Sequence, residues 1–279
     1  MSTDAKLLPD FIIIGAMKCG TTTLYRYLAL HPEIDMSRDK ETDFFVAEKN
    51  WGKGLGWYSN QFTHADRVRG EASPNYTKCK DFPGVAQRIS ETCPDVKLIY
   101  IVREPVSRAE SQFRHSFIME GLESDLQGFE DSRQYAHILD SSHYARQVEE
   151  YLRFFPKEAF LFLDFDELRR DPQAVMNKVT DHVGVSRMQI EDLGKQNDSA
   201  ELSRVPGFVL RFASSALGRR LAGLMSRDLR NRIRGGLAFQ KARVPPGFSE
   251  DLKVRMQSDL DDDSARFREI SGLSLSGWR

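Results

Sequence analysis

The chain has 279 residues, which at about 150 residues per domain allows one large domain or two small ones. Forty Lys and Arg against 41 Asp and Glu give a net charge of −1, and 40% apolar with 29% charged residues supply both a core and a solvated surface. These values exclude global disorder and a collagen-like repeat, and three cysteines (Cys19, Cys79, Cys93) exclude a disulfide framework. A mean hydropathy of −0.48, with no apolar run near about 18 residues, predicts no transmembrane helix. The start MSTDAKLLPD has no basic region leading into a long apolar stretch, so no signal peptide is expected and the compartment reads as cytoplasmic.

In chain order, Asp10-Phe11-Ile12-Ile13-Ile14-Gly15 predicts a buried parallel strand. It breaks at Gly15, passes through Ala16-Met17-Lys18-Cys19-Gly20 and enters a helix over 21–30. Leu24, Tyr27, Leu28 and His31 share the helix's inner face, and Pro32 ends it. Val96–Val102 predicts a second strand, followed by a helix that Pro105 opens and that runs to about Phe117. Tyr144–Phe155 reads as an amphipathic helix, Ala159–Leu163 as a third strand, and Asp171-Pro172 as the cap and first residue of a further helix. Strands alternating with helices predict an α/β fold, with a central parallel sheet flanked by helices in a single domain over 1–279.

Beyond about residue 190 the strand signals fade and the C-terminal part reads as helical, closing with a helix near Ser249–Ile270. From Arg204 to Arg243, ten basic residues face the single acid Asp228, a local +9 that leaves −10 elsewhere. Such a stretch points to an anionic ligand, acceptor, lipid or partner more than to nucleic acid. Phe208, Phe212, Leu217, Leu221 and Leu224 form an apolar stripe within it, and the segment is expected to border the acceptor entrance as a mobile lid.

Gly15-Ala16-Met17-Lys18-Cys19-Gly20-Thr21-Thr22 lies between a strand and a helix, where successive backbone N–H groups and the helix start make a concave anion site. Lys18 adds a cation and Thr21, Thr22 and Thr23 add hydroxyl donors; Lys18 and the helix start favour thiolate at Cys19, but an inert loop cysteine is the expected reading. In kinases and GTPases the loop Lys directly follows the second Gly. Here Thr21 fills that place and Lys18 precedes Gly20, which keeps the phosphate-binding logic and weakens that of a triphosphate with Mg²⁺. A P-loop kinase, with Asp164 as metal ligand after an apolar strand, and a non-catalytic nucleotide-binding module are the rival readings.

The stretch Leu8–Thr22 resembles the 5′-phosphosulfate loop of sulfotransferases that use 3′-phosphoadenosine-5′-phosphosulfate (PAPS). The likeness is to the heparan sulfate N- and 3-O-sulfotransferase branch and its bacterial relatives. Arg103-Glu104-Pro105-Val106-Ser107-Arg108-Ala109-Glu110-Ser111 is similar to that family's 3′-phosphate motif. Glu41-Thr42-Asp43-Phe44-Phe45, Gly70-Glu71-Ala72-Ser73-Pro74-Asn75-Tyr76, Asp171-Pro172 and Gly277-Trp278 follow in the expected order. The resemblance implies a P-loop-like fold, no metal and in-line transfer of a sulfuryl group to a hydroxyl or amine of a carbohydrate or small molecule. It implies that Lys18, Cys19, Gly20, Thr21, Thr22 and Thr23 hold the 5′-phosphosulfate, that Arg103 and Ser111 hold the 3′-phosphate, and that adenosine 3′,5′-bisphosphate is the product. It also implies Glu41 as the catalytic base, with a pKa expected to rise by partial burial beside Phe44 and Phe45. Lys18 would stabilise charge growing on the bridging oxygen. Two departures stand out: Ala72 occupies a position where glycosaminoglycan-modifying members often carry Lys, and Thr23 replaces the aromatic residue on which cytosolic members stack adenine.

Overall fold

The computed structural model describes residues 6–120, 128–190 and 245–278; the basic segment and its apolar stripe lie outside them. The chain divides into two compact units, one formed by Met1–Ala109, Leu139–Ile190 and Lys253–Arg279, the other by Glu110–Ile138 and Glu191–Leu252.

The first unit is built on a five-stranded parallel sheet of β1 (Phe11–Gly15), β2 (Ile34–Met36), β3 (Val68–Ala72), β4 (Lys97–Val102) and β5 (Phe160–Asp164). Their order is β2-β3-β1-β4-β5. Every residue of β1 is buried, because the strand is central and covered on both faces, which is why it reads as an unbroken apolar run. From β1 the chain steps to one side for β2 and β3, then to the other for β4 and β5. The switch point beside β1 is where open α/β sheets bind ligands.

β3 shows none of that apolar character. Its sequence Val-Arg-Gly-Glu-Ala succeeds because a Cβ at Gly70 would stand 2.1 Å from the Phe11 ring, and because Glu71 is hydrogen-bonded in the core. Among the described residues the helices are α1 (Thr21–Leu28), α2 (Gly54–Ser59), α3 (Val85–Thr92), α4 (Pro105–Glu120), α5 (Arg133–Asp140), α6 (Tyr144–Leu152), α7 (Phe165–Arg170), α8 (Pro172–Val183) and α9 (Glu250–Ser271). Asp171 caps α8 by accepting from Ala174 N at 2.9 Å, as its place before Pro172 predicts. On α9, Phe267 meets Tyr100 at 6.0 Å and Phe162 at 5.8 Å, and the Asp263 carboxylate accepts from the backbone of Ala145 and Arg146 at the start of α6. His31, expected at a helix end, is buried just beyond α1 with Nε2 2.8 Å from the Ser186 carbonyl.

The second unit holds the later turns of α4 and an aromatic cluster. Phe113 lies 5.0 Å from Phe129 and 5.3 Å from Phe248, and Phe129 meets Tyr135 at 5.6 Å.

Candidate active site

The loop after β1 begins with Ala16 N donating to Ile101 O at 2.7 Å. Lys18 has φ 68° and Gly20, the residue before α1, has φ 89°; left-handed backbone at both turns the chain tightly from strand to helix. A Cβ on Gly20 would stand 2.7 Å from the Phe165 ring, and one on Gly15 2.6 Å from Thr77 Oγ1. Both glycines are therefore required by close approach. Thr21 is buried, whereas Thr22 and Thr23 are exposed at the mouth of the loop. Burial lowers the Lys18 pKa, and the Glu41 carboxylate opposes that shift while Lys40, Arg103 and Arg108 add to it.

Cys19 is held as an inert thiol rather than as a thiolate. Its side chain is fully buried beneath the loop, with Sγ 3.7 Å from the Tyr144 hydroxyl, and burial pushes its thiol up to about 11. The favourable pull of the helix start and nearby cations is outweighed by loss of water. Within the loop the Cys19 N–H donates to Ala16 O at 3.2 Å and its Sγ to Met17 O at 3.7 Å.

Glu41 lies on a loop docked on the end of β3, where its N–H donates to Ala72 O at 2.9 Å. Its φ is 65°, and its carboxylate pairs with Lys40. The expected partial burial is not found, since the Glu41 side chain is 47% exposed. The apolar shell instead closes over its neighbours: Phe44 stacks on Tyr58 at 4.2 Å, and Phe45 meets Tyr76 at 5.7 Å.

The buried acid is Glu71. It accepts from Thr42 Oγ1 and Ser73 Oγ, each at 2.7 Å, and from the Tyr58 hydroxyl. Burial raises its carboxyl pKa, which these hydrogen bonds only partly counter. Because Thr42 adjoins Glu41, this cluster anchors the Glu41 loop to β3. The sequence carries Glu71 in the Gly70–Tyr76 motif, but no local pattern marks it as the hub.

Arg103 leaves the end of β4 and places its guanidinium 5.2 Å from the centroid of Phe165; Arg169 lies 5.9 Å from the same ring. The adjacent Glu104 is used otherwise, its carboxylate accepting from Val106 N at 2.9 Å and Ser107 N at 2.6 Å at the start of α4. Ser111 is half-buried two turns along α4, in the second unit. Phe165, which no sequence signal singled out, thus touches both the Gly20 turn and Arg103. A cavity of about 420 Å³ lies nearby in sequence, lined by Asp164, Asp166, Arg169, Arg170 and residues 274–278. The Asp164 carboxylate accepts from Asp166 N at 3.0 Å, so it serves as the cap of α7. Among the described residues no group of His, Cys, Asp and Glu has a metal-holding arrangement, and no helix is long and apolar enough to cross a membrane.

A parallel sheet with a lysine-bearing, glycine-bounded loop at its switch point defines a P-loop-like α/β protein. Residues 8–201 match the sulfotransferase domain, and the chain belongs to the sulfotransferase family. It is similar to heparan sulfate glucosamine 3-O-sulfotransferase 3B1 of Homo sapiens, with 32% identity over 66% of this chain and 48% of that protein. It is also similar to bifunctional heparan sulfate N-deacetylase/N-sulfotransferase 1 of Caenorhabditis briggsae, with 25% identity over 92% of this chain and 33% of that protein. The chain thus spans a third to a half of these relatives' length. Among solved structures, a sulfotransferase from Alicyclobacillus acidocaldarius matches with TM-score 0.67 and 25% identity, over 98% of this chain and 99% of that one.

Proposed function

We propose that this chain moves a sulfuryl group from PAPS to a hydroxyl or amine of a carbohydrate or small-molecule acceptor. The observation that carries the reading is the juxtaposition of Lys18 and Glu41. Both have left-handed backbone at the C-terminal edge of the sheet, and the Glu41 charge acts on the Lys18 ammonium. A cation for the departing oxygen and a carboxylate for the acceptor proton are what sulfuryl transfer asks of a site.

The residues fit a bisphosphorylated donor. The Gly20 turn leaves no room for a Cβ beside Phe165, and Lys18 is a half-buried cation in the same loop. We assign the 5′-phosphosulfate to Lys18, Gly20, Thr21 and Thr22, with the backbone of Cys19 and the exposed Thr23 at the rim. Arg103, at the end of β4, is assigned to the 3′-phosphate. Phe165, flanked by two guanidinium groups, offers the aromatic surface for adenine that Thr23 does not. When bound, PAPS supplies the sulfuryl group. Glu41 takes the proton from the attacking hydroxyl or amine, and Lys18 holds positive charge beside the bridging oxygen as its bond to sulfur breaks. The remaining product is adenosine 3′,5′-bisphosphate.

The whole chain acts in this reading as one sulfotransferase domain. A cytoplasmic setting is supported by the three cysteines, all of them free thiols. Calorimetric titration of adenosine 3′,5′-bisphosphate against ATP with Mg²⁺ tests the reading. Tighter binding of the bisphosphate is expected, and preference for ATP with Mg²⁺ overturns it.

A further inference from the structure

We propose that Tyr144 is a positioning residue for the sulfuryl donor: its buried hydroxyl links the Lys18 loop to the backbone of Arg103 and so fixes the distance between the two anion-binding segments. The inference rests on the sulfotransferase reading above and goes beyond it by naming what holds the donor's two phosphate sites at their spacing.

Tyr144 opens α6 and is fully buried. Its hydroxyl donates to Arg103 O at 2.7 Å. That single hydrogen is then committed, so the Cys19 thiol, 3.7 Å away, meets the hydroxyl oxygen as a donor. The thiol hydrogen is shared with Met17 O, also 3.7 Å from Sγ. Met17 and Cys19 flank Lys18, and Arg103 is the first residue beyond β4, where the chain is neither strand nor helix. One side chain thus joins the centre of the loop to the residue assigned to the 3′-phosphate. Burial keeps the Cys19 thiol protonated at neutral pH, as a donor must be.

The loop's attachment to the sheet lies elsewhere. Ala16 N donates to Ile101 O at 2.7 Å, which ties the start of the loop to β4. Lys18 and Gly20 lie beyond that tie and take left-handed backbone. Phe165 touches both segments as well, at the Gly20 turn and at the Arg103 guanidinium, but an apolar contact sets no direction. The Tyr144 hydroxyl does, because its own place is fixed. Its ring packs on Phe267 and Trp278, each at 5.6 Å, and on Tyr100 at 6.0 Å. The Asp263 carboxylate holds the next two backbone N–H groups, those of Ala145 and Arg146. The Tyr100 hydroxyl donates to Gln147 Oε1 at 2.9 Å and does not compete. A ligand with two anions gains from sites already held at the right spacing, since binding then has no ordering to supply.

The test is calorimetry on the full chain with adenosine 3′,5′-bisphosphate, adenosine 5′-monophosphate and adenosine 3′-monophosphate. Tyr144→Phe keeps the packed ring and removes the hydroxyl. It should weaken the bisphosphate about three- to tenfold, the scale of one net hydrogen bond, and leave each monophosphate within about twofold. A ligand with one phosphate engages one segment and is indifferent to their spacing. Cys19→Ala cuts the same link from its other end and should show the same selective loss; it also carries the test if Tyr144→Phe does not fold. The double variant should bind the bisphosphate within about twofold of either single variant. Unchanged bisphosphate affinity in the single variants overturns the proposal. So do equal losses for all three nucleotides, the mark of a structural role alone, and losses that multiply in the double variant. If the wild type prefers ATP with Mg²⁺ to the bisphosphate, the sulfotransferase reading fails and the proposal with it. If the wild type binds the bisphosphate tightly and the variants match it, the proposal alone fails.

Discussion

Replacing Glu71 by Ala removes the acceptor that Thr42, Ser73 and Tyr58 share inside the core. Thr42 keeps the Tyr76 hydroxyl at 3.3 Å, and each buried hydroxyl left without a partner costs about 1–3 kcal/mol. Against this, the variant no longer holds a desolvated carboxylate, whose burial costs several kcal/mol of its own. The hydroxyl terms outnumber that relief, and the net loss expected is about 2–4 kcal/mol. At about 2–4 °C per kcal/mol for a chain of this size, the melting temperature should fall by roughly 4–16 °C. Glu71→Gln isolates the charge. The folded carboxyl has a raised pKa, so its stabilisation is present at low pH and is lost as pH rises through that raised value. Gln cannot ionise and escapes the loss, so the stability of the wild type minus that of Glu71→Gln should fall with rising pH. Denaturant titrations followed by circular dichroism from pH 4 to 8 measure both effects. A loss below about 1 kcal/mol in Glu71→Ala, or a difference that grows with pH, would refute the reasoning.

Gly20→Ala places a methyl group 2.7 Å from the Phe165 ring and forces φ 89° on a residue with a Cβ. It should cost about 1–2 kcal/mol of stability in backbone strain and weaken adenosine 3′,5′-bisphosphate by at least about tenfold, measured by thermal melting and calorimetry. Arg103→Ala should weaken the same nucleotide by about 2–4 kcal/mol while scarcely affecting one that lacks the 3′-phosphate. Equal losses for both nucleotides would make Arg103 structural, through its contact with Phe165.

Much of the fold is legible where burial is symmetric. β1, β4 and β5 are apolar runs because both faces of the sheet are covered, and capping by Asp171 announces α8. β2 and β3 are not legible, because their polar residues find partners far along the chain. Asp35 accepts from the backbone of Thr63 and His64, and Arg69 pairs with Asp10. The Lys18 loop is visible in the strand–glycine–lysine–glycine spacing, and Glu41 in its motif. Local charge, however, says nothing about depth: Cys19 is buried despite its cationic surroundings, and the burial expected at Glu41 belongs to Glu71. Phe165 escapes sequence reading for a related reason. Its role lies in what it touches, the missing Cβ of Gly20 and the face of Arg103.

The central claim is that Glu41 removes the acceptor proton during sulfuryl transfer, and single-turnover kinetics with saturating PAPS and a verified acceptor test it most directly. Glu41→Gln keeps the shape and hydrogen-bonding capacity of an exposed side chain and removes its basicity. The transfer rate should fall by roughly 10²–10⁴, with affinity for adenosine 3′,5′-bisphosphate held within a few-fold and the melting temperature unchanged. Transfer at a near wild-type rate by Glu41→Gln would contradict the account and send the proton to another residue or to water.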